Sequence, residues 1–287
     1  MRMRSLSIQA NWLLLLLGWL IFDFALATGP SKKQLANRSR TVRLGIVLFP
    51  GFEPLDVIGP LEIWFSISAY YPLTLSMISF QTGPVTAVAP PHIMVPGQPP
   101  VDLSYMIAPK LVATHTFDNA PELDILLIPG GMGNMALAQQ NNTSVEDFII
   151  SRYPRLEYLQ SVCTGSVSLA RAGVLKRKKA TTNKSSWAWV TGFGEKINWV
   201  PTARWTEDGK IWTSSGVSAG MDMTYAFLKM FYGTDDPKTT DTLTQVMNGM
   251  EYAPHTDPHW DPYGVVYNVP GADTSQPLQG CVRPVGY

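Results

Sequence analysis

The sequence is poor in cysteine and histidine and carries no excess of either charge. Its 287 residues include 2 cysteines and 4 histidines, and Lys plus Arg and Asp plus Glu both number 22. Two cysteines cannot build a disulfide scaffold. A formal net charge of zero argues against nucleic acid as a partner. With 45% hydrophobic residues, the chain can instead bury the core of a large domain.

A zinc-type metal motif is also lacking. His255 and His259 have the i, i+4 spacing of two metal ligands, but Pro258 between them argues against a helix. No carboxylate motif of the zinc type accompanies them. We therefore expect no metal ion at these histidines.

The N-terminus holds the longest apolar run, and this run is short for a membrane span. A basic start at residues 1–4 precedes an apolar run at 12–22 and a small-x-small site at 25–27. These three parts predict a signal peptide over 1–27 and a secreted or lumenal protein. The alternative is an uncleaved membrane anchor.

A polar, basic stretch follows the signal, and residues 28–41 are predicted to be a linker. Four sequons are compatible with a secretory route and offer candidate glycosylation sites. They are Asn37, Asn141, Asn142 and Asn183.

Apolar strand patterns alternate with helical patterns along the middle of the chain. Strands are predicted at 42–49, 73–80, 123–128 and 158–162, and helices at 61–70, 143–152, 165–172 and 215–231. This alternation predicts one α/β domain over 42–252, a mostly parallel sheet with helices on both faces. A Pro-rich surface insert is expected at 90–116, a hairpin at 203–213, and an irregular Pro-rich tail at 253–287.

The stretch 158–175 is a strand that turns sharply into a helix, with Cys163 at the corner. Such an elbow pushes the corner side chain out of the sheet. The helix N-terminus should lower the pKa of the Cys163 thiol and activate it as a nucleophile. The alternative is an inert buried cysteine.

Two further segments follow predicted strands and should reach the same rim of the sheet. Asp56 follows the first strand, and Gly130 and Gly131 follow the third. Asp56 is the candidate proton carrier, with a helix cap as the alternative. The N–H groups of Thr164 and of Gly130 or Gly131 are the candidate oxyanion donors, although the glycines alone are equally typical of a tight turn.

Four stretches together resemble the ThiJ/PfpI superfamily: 51–60, 124–131, 161–166 and 213–222. The resemblance implies the class I glutamine amidotransferase-like fold, a flavodoxin-like three-layer sandwich. Asp-x-x-Gly-Pro together with Cys-Thr-Gly is similar to the isonitrile hydratase subgroup.

The subgroup implies a reaction on a small molecule, without metal or organic cofactor. Cys163 would attack the isocyanide carbon, Asp56 would relay protons, and Thr164 would position the substrate or thiolate. Water would then release an N-substituted formamide. Relatives usually dimerise, so a homodimer is an expectation, although the sequence shows no interface.

Two other functions stay open at this stage. An exposed thiol at a helix N-terminus is also typical of a redox sensor or a ligand-binding domain. A glyoxalase-type reaction on a keto-aldehyde is the other alternative. Many relatives place a histidine where this chain has Asn183 and Lys184, which counts against amidase or peptidase activity.

Overall fold

The computed structural model describes residues 29–90, 104–233, 241–275 and 278. The predicted signal at 1–27, much of the predicted insert and Cys281 lie outside these residues. The strands are β1 (Val42–Val47), β2 (Leu73–Ser79), β3 (Gly83–Thr86), β4 (Lys110–Ala113), β5 (His115–Thr116), β6 (Ile125–Ile128), β7 (Tyr158–Ser161), β8 (Lys179–Ala180), β9 (Asn198–Trp199), β10 (Trp205–Asp208) and β11 (Ile211–Ser214). The helices are α1 (Lys32–Ser39), α2 (Pro54–Ile67), α3 (Met132–Gln139), α4 (Ser144–Arg152), α5 (Ser166–Arg171), α6 (Trp187–Thr191), α7 (Ala219–Tyr232), α8 (Thr242–Gly249) and α9 (Tyr263–Val266).

The main sheet has seven strands in the order β10-β11-β7-β6-β1-β2-β5. Every pairing is parallel except that of the β10–β11 hairpin at one edge. The sheet is covered on both faces, with α1, α2, α7 and α8 in one contacting group and α4, α5 and α6 in another. The predicted α/β fold and the hairpin are therefore confirmed.

The order of the strands explains where the site lies. The chain runs from β1 outward to β2 and later returns to β6 on the other side of β1. The carboxyl ends of β1 and β6 therefore border a crevice, where open α/β sheets bind ligands. Strand β6 is buried at all four positions, as expected for a central parallel strand.

Helix α2 begins earlier than the sequence pattern predicted. The expected helix ran from 61 to 70, whereas α2 starts at Pro54, a first helical position where proline is well tolerated. Pro60 lies inside the helix and removes one main-chain hydrogen bond. The helix continues because one face, including Trp64, is buried in the core. Asp56 consequently lies in the first turn of α2 and does not cap it.

The predicted linker at 28–41 is wrong, because most of it is α1. This helix opens with a capping box in which the side chains of Ser31 and Gln34 each accept a hydrogen bond from the other residue's N–H. Its side chains also donate to the last carbonyls of α7: Gln34 to Met230 (2.9 Å), Asn37 to Phe231 (2.9 Å) and Arg38 to Tyr232 (2.8 Å). The helix therefore satisfies carbonyls that a helix end leaves without partners.

The insert and the tail are more ordered than expected where they are described. Residues 110–113 pair with β3 in a small antiparallel sheet, and β5 extends the edge of the main sheet beside β2. The tail contains α9, and Asp261 just before it is fully buried. The tail therefore belongs to the folded body and does not merely wrap its surface. Among the described residues, the structure contains no helix whose length and apolar character would let it cross a bilayer.

Candidate active site

Cys163 occupies the corner between β7 and α5, as the elbow pattern predicted. Its φ is +58°, in the left-handed region, which costs a non-glycine residue roughly 1–3 kcal/mol. Hydrogen bonds hold this conformation. The Cys163 N–H donates to the Ser215 carbonyl (2.8 Å), and the Cys163 carbonyl accepts from the hydroxyls of Thr182 (3.0 Å) and Ser166 (3.3 Å). The elbow fixes the direction of a free thiol.

Asp56 comes from the first turn of α2 and faces this thiol. The side chain is fully buried, and its Oδ2 accepts a hydrogen bond from the Gly130 N–H at 2.7 Å. Oδ1 has no hydrogen-bond partner of standard geometry among the described residues. The carboxyl nevertheless lies close enough to the Cys163 thiol for the thiol to lower its pKa. The structure thus brings together the two residues expected to exchange a proton.

Burial dominates the protonation of both groups. Desolvation raises the pKa of Asp56 to about 8, against the opposing effects of the Gly130 N–H and the thiol. Desolvation also raises the pKa of the Cys163 thiol well above its usual range, and the Asp56 charge adds to this effect. The expected lowering of the thiol pKa is therefore wrong. The helix N-terminus does not compensate for burial of the thiol.

Thr164 ties the loop after β6 to the elbow. Its Oγ1 accepts from the Gly131 N–H (2.9 Å) and donates to Asn134 Oδ1 (3.0 Å). The Thr164 N–H lies close enough to the thiol to lower its pKa. A side chain on Gly130 would place its Cβ 2.6 Å from the Thr164 nitrogen, so this approach requires glycine.

These contacts correct the predicted oxyanion pocket. The Gly130 N–H is already bonded to Asp56, and the Gly131 N–H is bonded to Thr164. Both donors therefore organise the site internally, and neither points to an empty position beside the sulfur. The glycines position the acid and Thr164 instead.

Asn134 and Asn183 were not predicted as site residues. The Asn183 side chain lies close enough to the Cys163 thiol to lower its pKa. Its Oδ1 accepts from Ser185 and Ser186, which leaves its amide N–H groups for the sulfur. Asn183 could have been predicted as a site residue, because it stands where many relatives place a histidine. Asn134 gave no such signal, since it lies inside α3, a helix that the sequence pattern did not predict.

A buried cluster of four charges lies next to this site. Arg204 Nε bonds to Asp222 Oδ2 at 2.6 Å, and Arg204 Nη1 lies 3.7 Å from Asp261 Oδ1. Lys184 Nζ lies 3.5 Å from Asp261 Oδ2 and donates to the Ala203 carbonyl at 2.8 Å. Burial lowers the pKa of Lys184 to about 8, although Asp261 opposes this shift. The cluster joins the tail to the loops around Cys163.

The four sequons differ in their surroundings. Asn141 is exposed in a turn, and Asn142 is partly buried with its Oδ1 accepting from the Ser144 N–H. Asn37 is buried and bonded to the Phe231 carbonyl, so the expected glycan at this residue is incompatible with the packing. A glycan on Asn183 would fill the space beside the thiol. Of the four sequons, exposed Asn141 is the one whose surroundings leave room for a glycan.

In the part of the chain that the structure describes, no group of three or more His, Cys, Asp or Glu residues is arranged to hold a metal ion. His255 and His259 are exposed in irregular backbone, as the intervening proline predicted. His92 is outside the described residues.

Comparison with known proteins agrees with this geometry. Residues 43–230 match the DJ-1/PfpI family. The chain belongs to this family. It is 31% identical over 214 residues to the isonitrile hydratase of Pseudomonas putida, covering 74% of this chain and 79% of that protein. The predicted ThiJ/PfpI membership is confirmed.

Solved structures of the DJ-1/PfpI family share the fold. A ThiJ/PfpI family protein from Pseudomonas syringae superposes with a TM-score of 0.58 at 25% identity, covering 80% of this chain and 84% of that one. Drosophila melanogaster DJ-1beta superposes with a TM-score of 0.55 at 16% identity, covering 75% of this chain and all of that one. At such identity, the second likeness concerns the fold alone.

Proposed function

We propose that this protein is a lyase of the isonitrile hydratase type, which adds water to a small organic isocyanide and yields an N-substituted formamide. The observation that carries the proposal is the buried Asp56 carboxyl facing the Cys163 thiol. The similarity to an isonitrile hydratase supports the same reaction. Cys163 is the nucleophile, Asp56 the proton carrier, and Thr164 and Asn183 position the sulfur.

The first step makes a bond between the sulfur and the isocyanide carbon. The Asp56 carboxylate takes the thiol proton as the sulfur attacks, and it passes this proton to the same carbon. The product is a thioimidate in which the nitrogen is double-bonded to carbon. A carboxyl with a pKa of about 8 is suited to accept and return a proton near neutral pH.

The second step consumes water. Water adds to the thioimidate carbon while Asp56 conveys one of its protons to the nitrogen. The resulting adduct loses the sulfur, the carbon–sulfur bond breaks, and the hydroxyl proton returns to Cys163. The sum is one isocyanide and one water converted to one formamide, with the thiol and the carboxyl restored.

The occupied glycine N–H groups favour this chemistry over attack on a carbonyl. Attack on a keto-aldehyde develops negative charge on oxygen and needs free donors there. Attack on an isocyanide develops the charge on carbon, where a proton from Asp56 neutralises it. The Gly130 and Gly131 N–H groups already donate to Asp56 and Thr164. The geometry therefore favours an isocyanide over a keto-aldehyde as the substrate.

The buried thiol also counts against redox sensing. Thiols that sense oxidants are exposed and have a low pKa. Cys163 is buried, and burial raises its pKa.

Substitution of the two reacting residues tests the proposal. Cys163→Ala should lower the turnover of methyl isocyanide by at least about a thousandfold, because the covalent nucleophile is lost. Asp56→Asn should lower it by about 10²- to 10⁴-fold, the usual contribution of a proton carrier. Formamide release is measured by liquid chromatography.

Cys281→Ala is the matched control, since it removes the other thiol of the chain and should retain full turnover. Circular dichroism checks that each variant is folded. Turnover that survives Cys163→Ala would disprove the mechanism.

A further inference from the structure

A cavity of about 240 Å³ lies directly beside the candidate site. Two of its lining residues touch Cys163. The Ser215 carbonyl accepts the Cys163 N–H at 2.8 Å, and the Asn183 side chain lies close enough to the thiol to lower its pKa. The cavity therefore adjoins the reacting group, with Asn183 between them.

One wall of this cavity comes from the C-terminal segment, residues 252–269. Tyr263 and Tyr267 line it together with Leu55 and Val217 of the main domain. The segment lies after the stretch that matches the family, which ends at residue 230. The wall therefore lies outside the stretch that matches the family model.

Buried contacts fix the C-terminal segment in place. Asp261 accepts from the Ser215 hydroxyl and lies 3.5 Å from Lys184 Nζ. Main-chain bonds join the Arg204 N–H to the Pro258 carbonyl (2.9 Å) and the Asp261 N–H to the Thr202 carbonyl (2.8 Å). The two tyrosines therefore have a rigid base.

Charges at the floor of the cavity are compensated. Lys184 and Arg204 line the cavity, and behind them Asp261 and Asp222 supply two opposite charges. A charged ligand would have to compete with these buried ion pairs, and breaking such a pair is costly. The floor therefore favours an uncharged ligand.

The size of the cavity suits a single ring. Benzene occupies an engineered apolar cavity of about 150 Å³. A space of about 240 Å³ can hold one ring with a small addition. The tyrosine rings on its wall can pack against an aromatic ring, which stabilises such pairs beyond simple burial.

We propose that this cavity is the subsite for the organic substituent of the substrate, that it takes a neutral single ring, and that Tyr263 and Tyr267 determine this specificity. The substrate class that follows is the neutral aryl isocyanides. This inference rests on the proposed hydratase function.

Kinetics of Tyr267→Ala test the inference, because this half-exposed side chain can be removed without opening the core. The wild type should prefer phenyl isocyanide to methyl isocyanide and to 4-isocyanobenzoate. Tyr267→Ala should lower the ratio of kcat/KM for phenyl over methyl isocyanide by about tenfold, through KM. Tyr70→Ala, which removes an equally exposed tyrosine at the end of α2, should leave the ratio unchanged. If Tyr267→Ala leaves this ratio unchanged, the inference is wrong. If the protein also converts methyl isocyanide, the hydratase proposal still holds.

A binding measurement separates the inference from the reaction. N-phenylformamide should bind Cys163→Ala more tightly than N-methylformamide in saturation-transfer NMR, and adding Tyr267→Ala should weaken it about tenfold. If the wild type converts no isocyanide but this binding pattern holds, the ring subsite stands and the hydratase proposal fails. If N-phenylformamide shows no preference, the subsite is wrong.

Discussion

At the scale of single residues, the site depends on a carboxyl and a thiol that are both kept from water. Asp56 is fully buried and its pKa is raised to about 8. A raised pKa means that the folded chain holds this proton more tightly than the unfolded chain does. The protein therefore gives up stability to keep a proton carrier beside Cys163.

This cost predicts how stability depends on pH. The Asp56 contribution is fully present below its ordinary pKa of 3.8 and is lost as pH rises through about 8. Asp56→Asn keeps a neutral group that can accept from Gly130. Relative to the wild type, the variant should gain stability from pH 5 to pH 8. Calorimetry at both pH values should show this as a growing difference in Tm, at about 2–4 °C per kcal/mol.

Asp118→Asn, which changes an exposed carboxyl, serves as the control and should follow the wild type at both pH values. A Tm difference between Asp56→Asn and the wild type that is the same at pH 5 and pH 8 would contradict the raised pKa.

The sequence predicted which residues would meet but not how they would ionise. Asp56, Gly130 and Cys163 each follow a parallel strand, so their common rim followed from topology. The pKa of the thiol depends on how completely the surrounding chain excludes water, which no local pattern contains. The partners of the Gly130 and Gly131 N–H groups were likewise not predictable, because Asp56 and Thr164 are far from the glycines in sequence.

At the scale of elements, the polar helix α1 stabilises the C-terminal end of α7 by donating hydrogen bonds to its carbonyls. The central strands β1, β2, β6 and β7 were predicted to within a few residues, since apolar β-branched runs are a local signal, whereas β4, β5 and β9 were not. The first helix was missed because it has little apolar surface, although Ser31 and Gln34 form a recognisable capping box. Its Asn37, Gln34 and Arg38 side chains satisfy the end of α7.

Asn37→Ala tests this role. The buried Phe231 carbonyl would lose its side-chain donor, and a buried group left unpaired costs about 1–3 kcal/mol. Urea unfolding should show that loss. Lys32→Ala on the exposed side of α1 should change the free energy of unfolding far less. Equal losses in the two variants would show that the amide contact is not what docks the helix.

At the scale of the whole molecule, the four-charge cluster fastens the C-terminal segment to the sheet. The sequence predicted an irregular surface tail because Pro, Asp and aromatic residues carry no periodic pattern there. Asp261 is nevertheless fully buried beside Lys184 and Arg204. The pairing links parts of the chain far apart in sequence, so only the folded structure discloses it.

Removing one charge from this cluster should be costly. Asp261→Ala leaves Lys184 and Arg204 partly uncompensated, and breaking a buried ion pair in this way costs about 3–5 kcal/mol. Thermal unfolding should show a correspondingly lower Tm. Asp257→Asn, an exposed change in the same segment, should stay close to the wild type. A small effect of Asp261→Ala would mean that water reaches the cluster.

The position of Tyr263 and Tyr267 in the chain determines how the substrate preference of this protein can change. The groups around the sulfur lie in the elbow after β7 and in the first turn of α2, both packed on the sheet, whereas Tyr263 and Tyr267 lie in and just after α9. A substitution of either tyrosine can change which isocyanides bind and leave Cys163 and Asp56 in place. In the proposed roles, the residues that react and the residues that select the substrate are thus separate parts of the chain.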